Sequence, residues 1–187
     1  MINSKEDLKR YLKTEMKKYN KKRKYIFRPC LSESSLIWKY ICRLRYEEYH
    51  YNARHKFRYA FFHYLKTKLG RKLGFIIPIN VIDEGLKIMH IGSVLINAKQ
   101  IGKNCSFHIN TSLVSNGHSS DNPTLGDNIV VGVGSTIVGG LYIADGIAIG
   151  ANSLVNKSFY EKDIAIAGNP ARKISNNGSK SWNKKEN

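Results

Sequence analysis

Apolar residues along the chain follow two different periods. From Lys5 to about Gly74, Leu, Ile, Tyr, Phe and Trp are interspersed with Lys and Arg while Gly and Pro are scarce, a pattern that predicts helices. Ser4 is placed to cap a first helix running to Met16-Lys17-Lys18, and Lys21-Lys22-Arg23-Lys24 marks a polar junction after it. Ser34 or Ser35 is placed to cap a second helix, on which Leu36, Ile37, Tyr40, Ile41 and Leu44 make one apolar stripe. A third helix is expected from about Asn52 to Leu69, with Phe57, Phe61, Tyr64 and Leu65 on one face, a stripe of the kind that builds a core or a contact between subunits.

Beyond Leu73-Gly74 the helical period disappears. An aliphatic or aromatic residue then recurs every sixth position: Leu95, Ile101, Phe107 and Leu113, then Leu125, Val131, Ile137, Ile143, Ile149 and Val155. A smaller or aliphatic residue follows four places after most anchors, as at Cys105, Thr111, Ile129, Ser135, Leu141, Ile147 and Ser153. Such an internal repeat predicts a prism of short parallel strands, each sending one anchor inward, with three repeats to a coil and residues 18 apart stacked. The series loses its anchor at Ser119, so Ser115 to Thr124, rich in Ser, Asn, Gly and Pro, is expected as an extruded loop. The resulting division is a basic helical segment at 1–74, a repeat domain at 75–174, and an Asn-, Ser- and Lys-rich tail at 175–187 expected to be disordered.

The net charge of +17 resides almost entirely in the first segment, where residues 1–74 hold 21 Lys+Arg against 6 Asp+Glu. A patch this dense suits nucleic acid, anionic lipid or an acidic glycan, and equally a solvated helical surface. The helical aromatics fit amphipathic packing as well as base stacking, which disfavours a nucleic-acid partner and leaves peripheral contact with anionic surfaces. The scattered Cys30, Cys42 and Cys105 have no metal spacing and are expected reduced. No run of about 18 apolar residues occurs, and the start lacks a signal-peptide core, so a cytoplasmic protein is expected.

Four stretches carry a family resemblance: Ile77-Pro78-Ile79-Asn80-Val81 with Gly85-Leu86; Ile88-Met89-His90-Ile91-Gly92 through Asn97; Ile143 to Ser153; and Ala167-Gly168-Asn169-Pro170-Ala171-Arg172-Lys173-Ile174. Together with the repeat they resemble the hexapeptide-repeat acyltransferases, in particular the serine acetyltransferase-like group of bacterial surface-polysaccharide clusters. The resemblance implies a left-handed parallel β-helix behind an α-helical N-terminal segment, a homotrimer, and acetyl-CoA lying in a groove between subunits. It also implies transfer of the acetyl group to a small acceptor, a sugar hydroxyl, a sugar amine or serine. One departure bears on the acceptor: Leu113-Val114-Ser115-Asn116-Gly117-His118-Ser119 stands where true serine acetyltransferases carry a glycine-rich loop.

Acetyl transfer needs a base for the acceptor proton, and histidine titrates near neutrality. His90, in the Ile-x-His-x-Gly pattern that matches the family's histidine, is the first candidate. His108, 18 residues on, is expected directly above it, and His118 lies in the extruded loop; any of the three fits the role. Asp83 or Glu84 would orient the His90 ring in the manner of a triad's third member. Asn110 and His118 are candidates for acceptor binding. The resemblance places pantetheine along Gly132, Gly134, Ser135, Gly150 and Ala151, and the adenosine and phosphates near Ala167, Gly168, Pro170, Arg172 and Lys173. No metal is implied. Cys105, at an inward position, is expected to be inert, which favours direct attack in a ternary complex. The rival reading is a non-catalytic β-helix scaffold that binds polysaccharide or membrane through its basic helices.

Overall fold

The computed structural model describes residues 1–117 and 121–183. Three helices open the chain: α1 (Lys5–Lys18), α2 (Glu33–Asn52) and α3 (Lys56–Leu73). Ser4 caps α1 with its side chain on the Asp7 amide while Asp7 returns the bond to Ser4, a reciprocal capping box. The cap of α2 is Ser32 rather than Ser34 or Ser35, so the helix takes in Glu33 as its first residue. Gly74, at φ 80°, ends α3 in the left-handed region where the absence of a Cβ costs nothing.

Fourteen short strands follow: β1 (Phe75–Ile76), β2 (Lys87–Ile88), β3 (Val94–Ile96), β4 (Gln100–Ile101), β5 (Ser106–Phe107), β6 (Thr111–Val114), β7 (Thr124–Leu125), β8 (Val130–Val131), β9 (Thr136–Val138), β10 (Tyr142–Ile143), β11 (Ala148–Ile149), β12 (Leu154–Val155), β13 (Ala165–Gly168) and β14 (Ala171–Ser175). They form three sheets, ordered β1-β3-β6-β9-β12, β10-β7-β4 and β14-β13-β11-β8-β5-β2. Every pairing is parallel except the closing β13–β14 hairpin. Successive strands step from sheet to sheet, which makes the expected parallel β-helix with one sheet on each face of a triangular prism.

Ile101, Phe107, Leu113, Leu125, Val131, Ile137, Ile143, Ile149 and Val155 all point into the prism and are buried, as are the smaller residues from Cys105 to Ser153. Leu95 departs from the expected phase: Val94 and Ile96 are buried in its place and Leu95 turns to the outer face. The register supplies the reason. Ile88 pairs with Phe107 and Ile96 with Leu113, so the first coil takes eight residues from anchor to anchor where the next takes six. The two extra residues enlarge the corner after β2, and the first coil's stacking offset is therefore 19 at Ile88 and 17 at Ile96 rather than 18.

Coil corners fall at left-handed residues. Asn110, Gly134 and Asn152, at φ 58°, 71° and 54°, form one such column, and an added Cβ on Gly134 would strike the Asn152 amide oxygen at 2.2 Å. Asparagine and glycine are the residues that reach this conformation cheaply.

Two further differences concern the ends of the repeat. Residues 175–183, expected to be disordered, are ordered: α4 (Lys180–Asn183) follows Ser179, whose amide donates to the Gly146 carbonyl and whose hydroxyl donates to the Asn128 carbonyl. On α3, Phe62, Lys66, Leu69 and Leu73 are buried, whereas Phe57, Phe61 and Tyr64 are exposed, the reverse of a core stripe.

A buried ion cluster joins the helices to the first coil. Arg45 donates to the Glu15 carboxylate from Nε at 2.9 Å and from Nη2 at 2.5 Å, and to Glu48 from Nη1 at 3.2 Å. It also donates to the carbonyls of Ile82 and Asp83, each at 2.8 Å. Helices and prism share one continuous apolar core, in which Tyr19, Trp38 and Tyr40 meet Phe75 and Ile88.

Candidate active site

The strand register of the third sheet stacks Ile88, Phe107, Val131, Ile149 and Ile166 one above another inside the prism. Their successors, Met89, His108, Gly132, Gly150 and Ala167, therefore make a second column at the corner where the chain leaves that sheet. Amide-to-carbonyl bonds run up it, from Met89 to Phe107, His108 to Val131, Gly132 to Ile149, and Gly150 to Ile166. Side chains disappear along this column. An added Cβ would meet the Ala151 nitrogen at 2.7 Å on Gly132, and the Ala167 Cβ at 2.8 Å on Gly150, so the edge is smooth by steric necessity.

The result is a groove of about 260 Å³ lined by His108, Gly132, Val133, Gly150, Ala151 and Trp182, among others. Trp182, on α4, closes it from outside with its ring edge-on to His108, centroids 5.3 Å apart at 74°. A larger hollow of about 860 Å³ lies between α3 and the first sheet, and neither His90 nor His108 lines it.

His90 sits one residue past the start of this column, on the enlarged corner. The paired register ends with Ile88 on Phe107, and a Cβ on Gly92 would meet Ile109, so the enlarged corner breaks the expected 18-residue stacking of His90 on His108. The enlarged corner pushes His90 outward, and its side chain is 59% exposed. Its neighbour is Glu33, the first residue of α2. One Glu33 oxygen accepts the Ile91 amide at 2.7 Å and the other lies 3.4 Å from His90 Nδ1. The Ile91 amide, then His90, holds the Glu33 carboxyl below its usual value. The Glu33 carboxylate is thus held by backbone on one side and faces the imidazole of His90 on the other.

Asp83 does not fill that role. It lies at a different corner, at the end of the bridge from Ile82 to Ile101, where it accepts from the Tyr11 hydroxyl at 2.5 Å and the Glu84 amide at 2.7 Å. Burial opposes ionisation of Asp83, yet the Tyr11 and Glu84 bonds prevail and hold its pKa down. Glu84 is engaged by Arg10 and Lys103. Sequence reasoning missed Glu33 because 57 residues separate it from His90, and a residue at a helix start carries no signal of what the folded chain brings to it.

The remaining sequence candidates divide by physical cause. Gly132, Gly150 and Ala151 line the groove, and Ala167 extends its column. Ser135 turns inward, its hydroxyl donating to the Gly150 carbonyl at 2.8 Å, so only its backbone is available to a ligand. Asn110 and Gly134 are left-handed corner residues, which accounts for their types without a ligand. Gly168, Pro170, Arg172 and Lys173 are exposed on the closing hairpin at the far end of the column, Lys173 pairing with Glu161 at 2.5 Å. His118 lies outside the described residues. Cys105 is fully buried, and desolvation pushes its thiol up to about 12. Among the described residues no group of three or more His, Cys, Asp or Glu is arranged to hold a metal ion.

No family model matches the chain. It is 32% identical over 112 residues to a serine acetyltransferase of Helicobacter pylori, covering 56% of this chain and 64% of the relative. It is 31% identical over 100 residues to one of Synechococcus elongatus, covering 52% and 41%. The chain thus spans between about two fifths and two thirds of the length of these relatives. The solved serine acetyltransferase of Brucella abortus superposes with a TM-score of 0.72 at 20% identity, covering 94% of this chain and 72% of that one. The chain has the hexapeptide-repeat β-helix fold of the solved serine acetyltransferases. A second structure of the Brucella protein, in complex with coenzyme A, superposes with a TM-score of 0.69 over 93% of this chain and 70% of that one, at 21% identity. The likeness reaches past the repeat, because serine acetyltransferase structures covering over nine tenths of this chain must take in its helical segment as well.

Proposed function

We propose that the chain is an O-acetyltransferase that uses acetyl-CoA, with His90 as general base and Glu33 as its positioning residue. The observation that supports this is the column itself. A histidine facing a carboxylate follows its first residue, an edge bearing nothing larger than the Ala167 methyl runs along Gly132, Gly150 and Ala167, and Arg172 and Lys173 stand at the other end. A smooth edge lets an extended pantetheine lie against backbone amides and carbonyls, and the cations face the phosphates of the donor. Four strand spacings of about 4.8 Å make the column about 19 Å long, an elongated slot suited to a linear donor.

In this scheme the acceptor hydroxyl gives its proton to His90 Nε2 as its oxygen attacks the thioester carbonyl. A C–O bond forms, the C–S bond breaks, and the proton passes to the departing thiolate. No enzyme nucleophile is required, and Cys105 is buried in its protonated form. The part of the groove that Trp182 leaves uncovered is completed by a neighbouring copy in a homotrimer, and the supply of acetyl-CoA makes the cytoplasm the setting. Serine is the acceptor indicated by the names of the relatives. A sugar hydroxyl is the second arm, because Leu113 to Ser119 departs from the glycine-rich loop of true serine acetyltransferases.

The test is coenzyme A release from acetyl-CoA with serine, simple sugars and nucleotide sugars as acceptors. Release that depends on one hydroxyl acceptor is expected. Release with none of them, at protein concentrations where the trimer is intact, contradicts the reading and favours a scaffold.

A further inference from the structure

The exposed stripe of α3 lies apart from the groove, which no α3 residue lines. Phe57 is 94% exposed, Tyr64 58% and Phe61 48%, and their spacing sets them in line along one side of the helix. The loop between α1 and α2 adds Phe27, 64% exposed, whose ring lies 6.1 Å from Phe61. Arg43 holds loop and helix together, donating to the Ile26 carbonyl at 3.2 Å and to the Leu65 carbonyl at 2.8 Å. The four rings therefore form one apolar ridge on a fixed base.

The surroundings of this ridge carry one sign of charge. Residues 21–31 contain five Lys or Arg and residues 53–74 contain seven, with no Asp or Glu in either. Arg28, Lys56, Arg58 and Lys68 are exposed beside the rings.

We infer that this ridge docks the protein on an anionic lipid bilayer, with the phenylalanines entering the headgroup boundary and the cations meeting lipid phosphates. An exposed aromatic stripe flanked by lysine and arginine is the composition of an interfacial helix. No described helix is long and apolar enough to cross a membrane, so the contact is peripheral. A second copy is the poorer occupant, because a two-fold contact would press this cationic surface against itself. A single-stranded RNA stacking on the rings is the competing occupant, and the test below separates it from the bilayer.

Flotation of the full chain with vesicles tests the assignment, using phosphatidylcholine alone and phosphatidylcholine mixed with phosphatidylglycerol. Binding is expected only to the anionic vesicles and should weaken as salt rises. Phe57→Ser with Phe61→Ser should lower partitioning at least ten-fold, and Arg58→Gln or Lys68→Gln about five-fold each, with helix content by circular dichroism unchanged. Three results would overturn it: no anionic-vesicle binding by the wild type, unchanged partitioning of the double phenylalanine variant, or tighter binding to a single-stranded RNA than to vesicles. A fall in native mass on the double substitution would assign the ridge to a second copy and overturn it equally.

Discussion

Replacing Arg45 by Met should reveal how the helices are attached to the prism. The two side chains are similar in length, so the cavity is small and the loss is chiefly electrostatic. Arg45, Glu15 and Glu48 are all at most 1% exposed, and the guanidinium is the cation that neutralises both carboxylates. Removing one partner of such a cluster costs about 3–5 kcal/mol, because the other charges stay buried without compensation. The carbonyls of Ile82 and Asp83 lose donors in the same change. Burial already raises the Glu15 pKa, with Arg45 opposing it, so the substitution should raise it further. A carboxyl with a raised folded pKa binds its proton more tightly in the native state than in the unfolded one. Stability is then greatest below the ordinary value of 4.5 and is lost as pH climbs through the folded value. Urea unfolding of Arg45→Met should therefore show a large deficit at pH 7 that narrows toward pH 5. A variant as stable as the wild type at pH 7, or a deficit that widens on acidification, would refute this account. Replacing all three members by apolar residues should recover much of the loss.

Other substitutions separate packing from chemistry. Ile137→Ala, at a fully buried anchor, should cost about 2–5 kcal/mol in the same unfolding assay, whereas Leu95→Ala, on the outer face, should cost less than about 1 kcal/mol. Ala151→Phe, an exposed change on the groove wall, should weaken coenzyme A binding by calorimetry at least about ten-fold without lowering stability. Glu33→Gln keeps an acceptor for the Ile91 amide but removes the charge facing His90. For a pair this exposed, kcat should fall about two- to five-fold with the acetyl-CoA KM unchanged.

The prism was legible from the sequence because each coil buries a residue at a fixed interval, and stacking admits no other phase over Ile101 to Val155. Leu95 was misread where two extra residues entered the corner after Ile88, a local insertion that an average period conceals. Gly132 and Gly150 stood out through the resemblance alone, and the structure adds the steric reason for their type, since close strand packing leaves no room for a Cβ there. Asn110 has a second reason for its type that the sequence did not disclose, a left-handed corner at φ 58°. Glu33 and Trp182 were invisible for a shared reason: each reaches the site from a helix distant in sequence, and tertiary contacts of that kind leave no periodic trace. The Phe57, Phe61 and Tyr64 stripe was recognised as a face, but periodicity cannot say which of two faces turns inward on a helix with aromatic residues all round.

The proposed base is His90, beside Met89 at the first residue of the column. His90→Asn keeps a side chain of similar reach but cannot accept a proton near neutrality, and general-base assistance is worth about 10²–10⁴ in rate. The decisive measurement is kcat for this variant, alongside its coenzyme A affinity. A fall of that order is expected, with affinity within about two-fold of the wild type. Turnover within a few-fold of the wild type, with His118→Asn inactive instead, would contradict it.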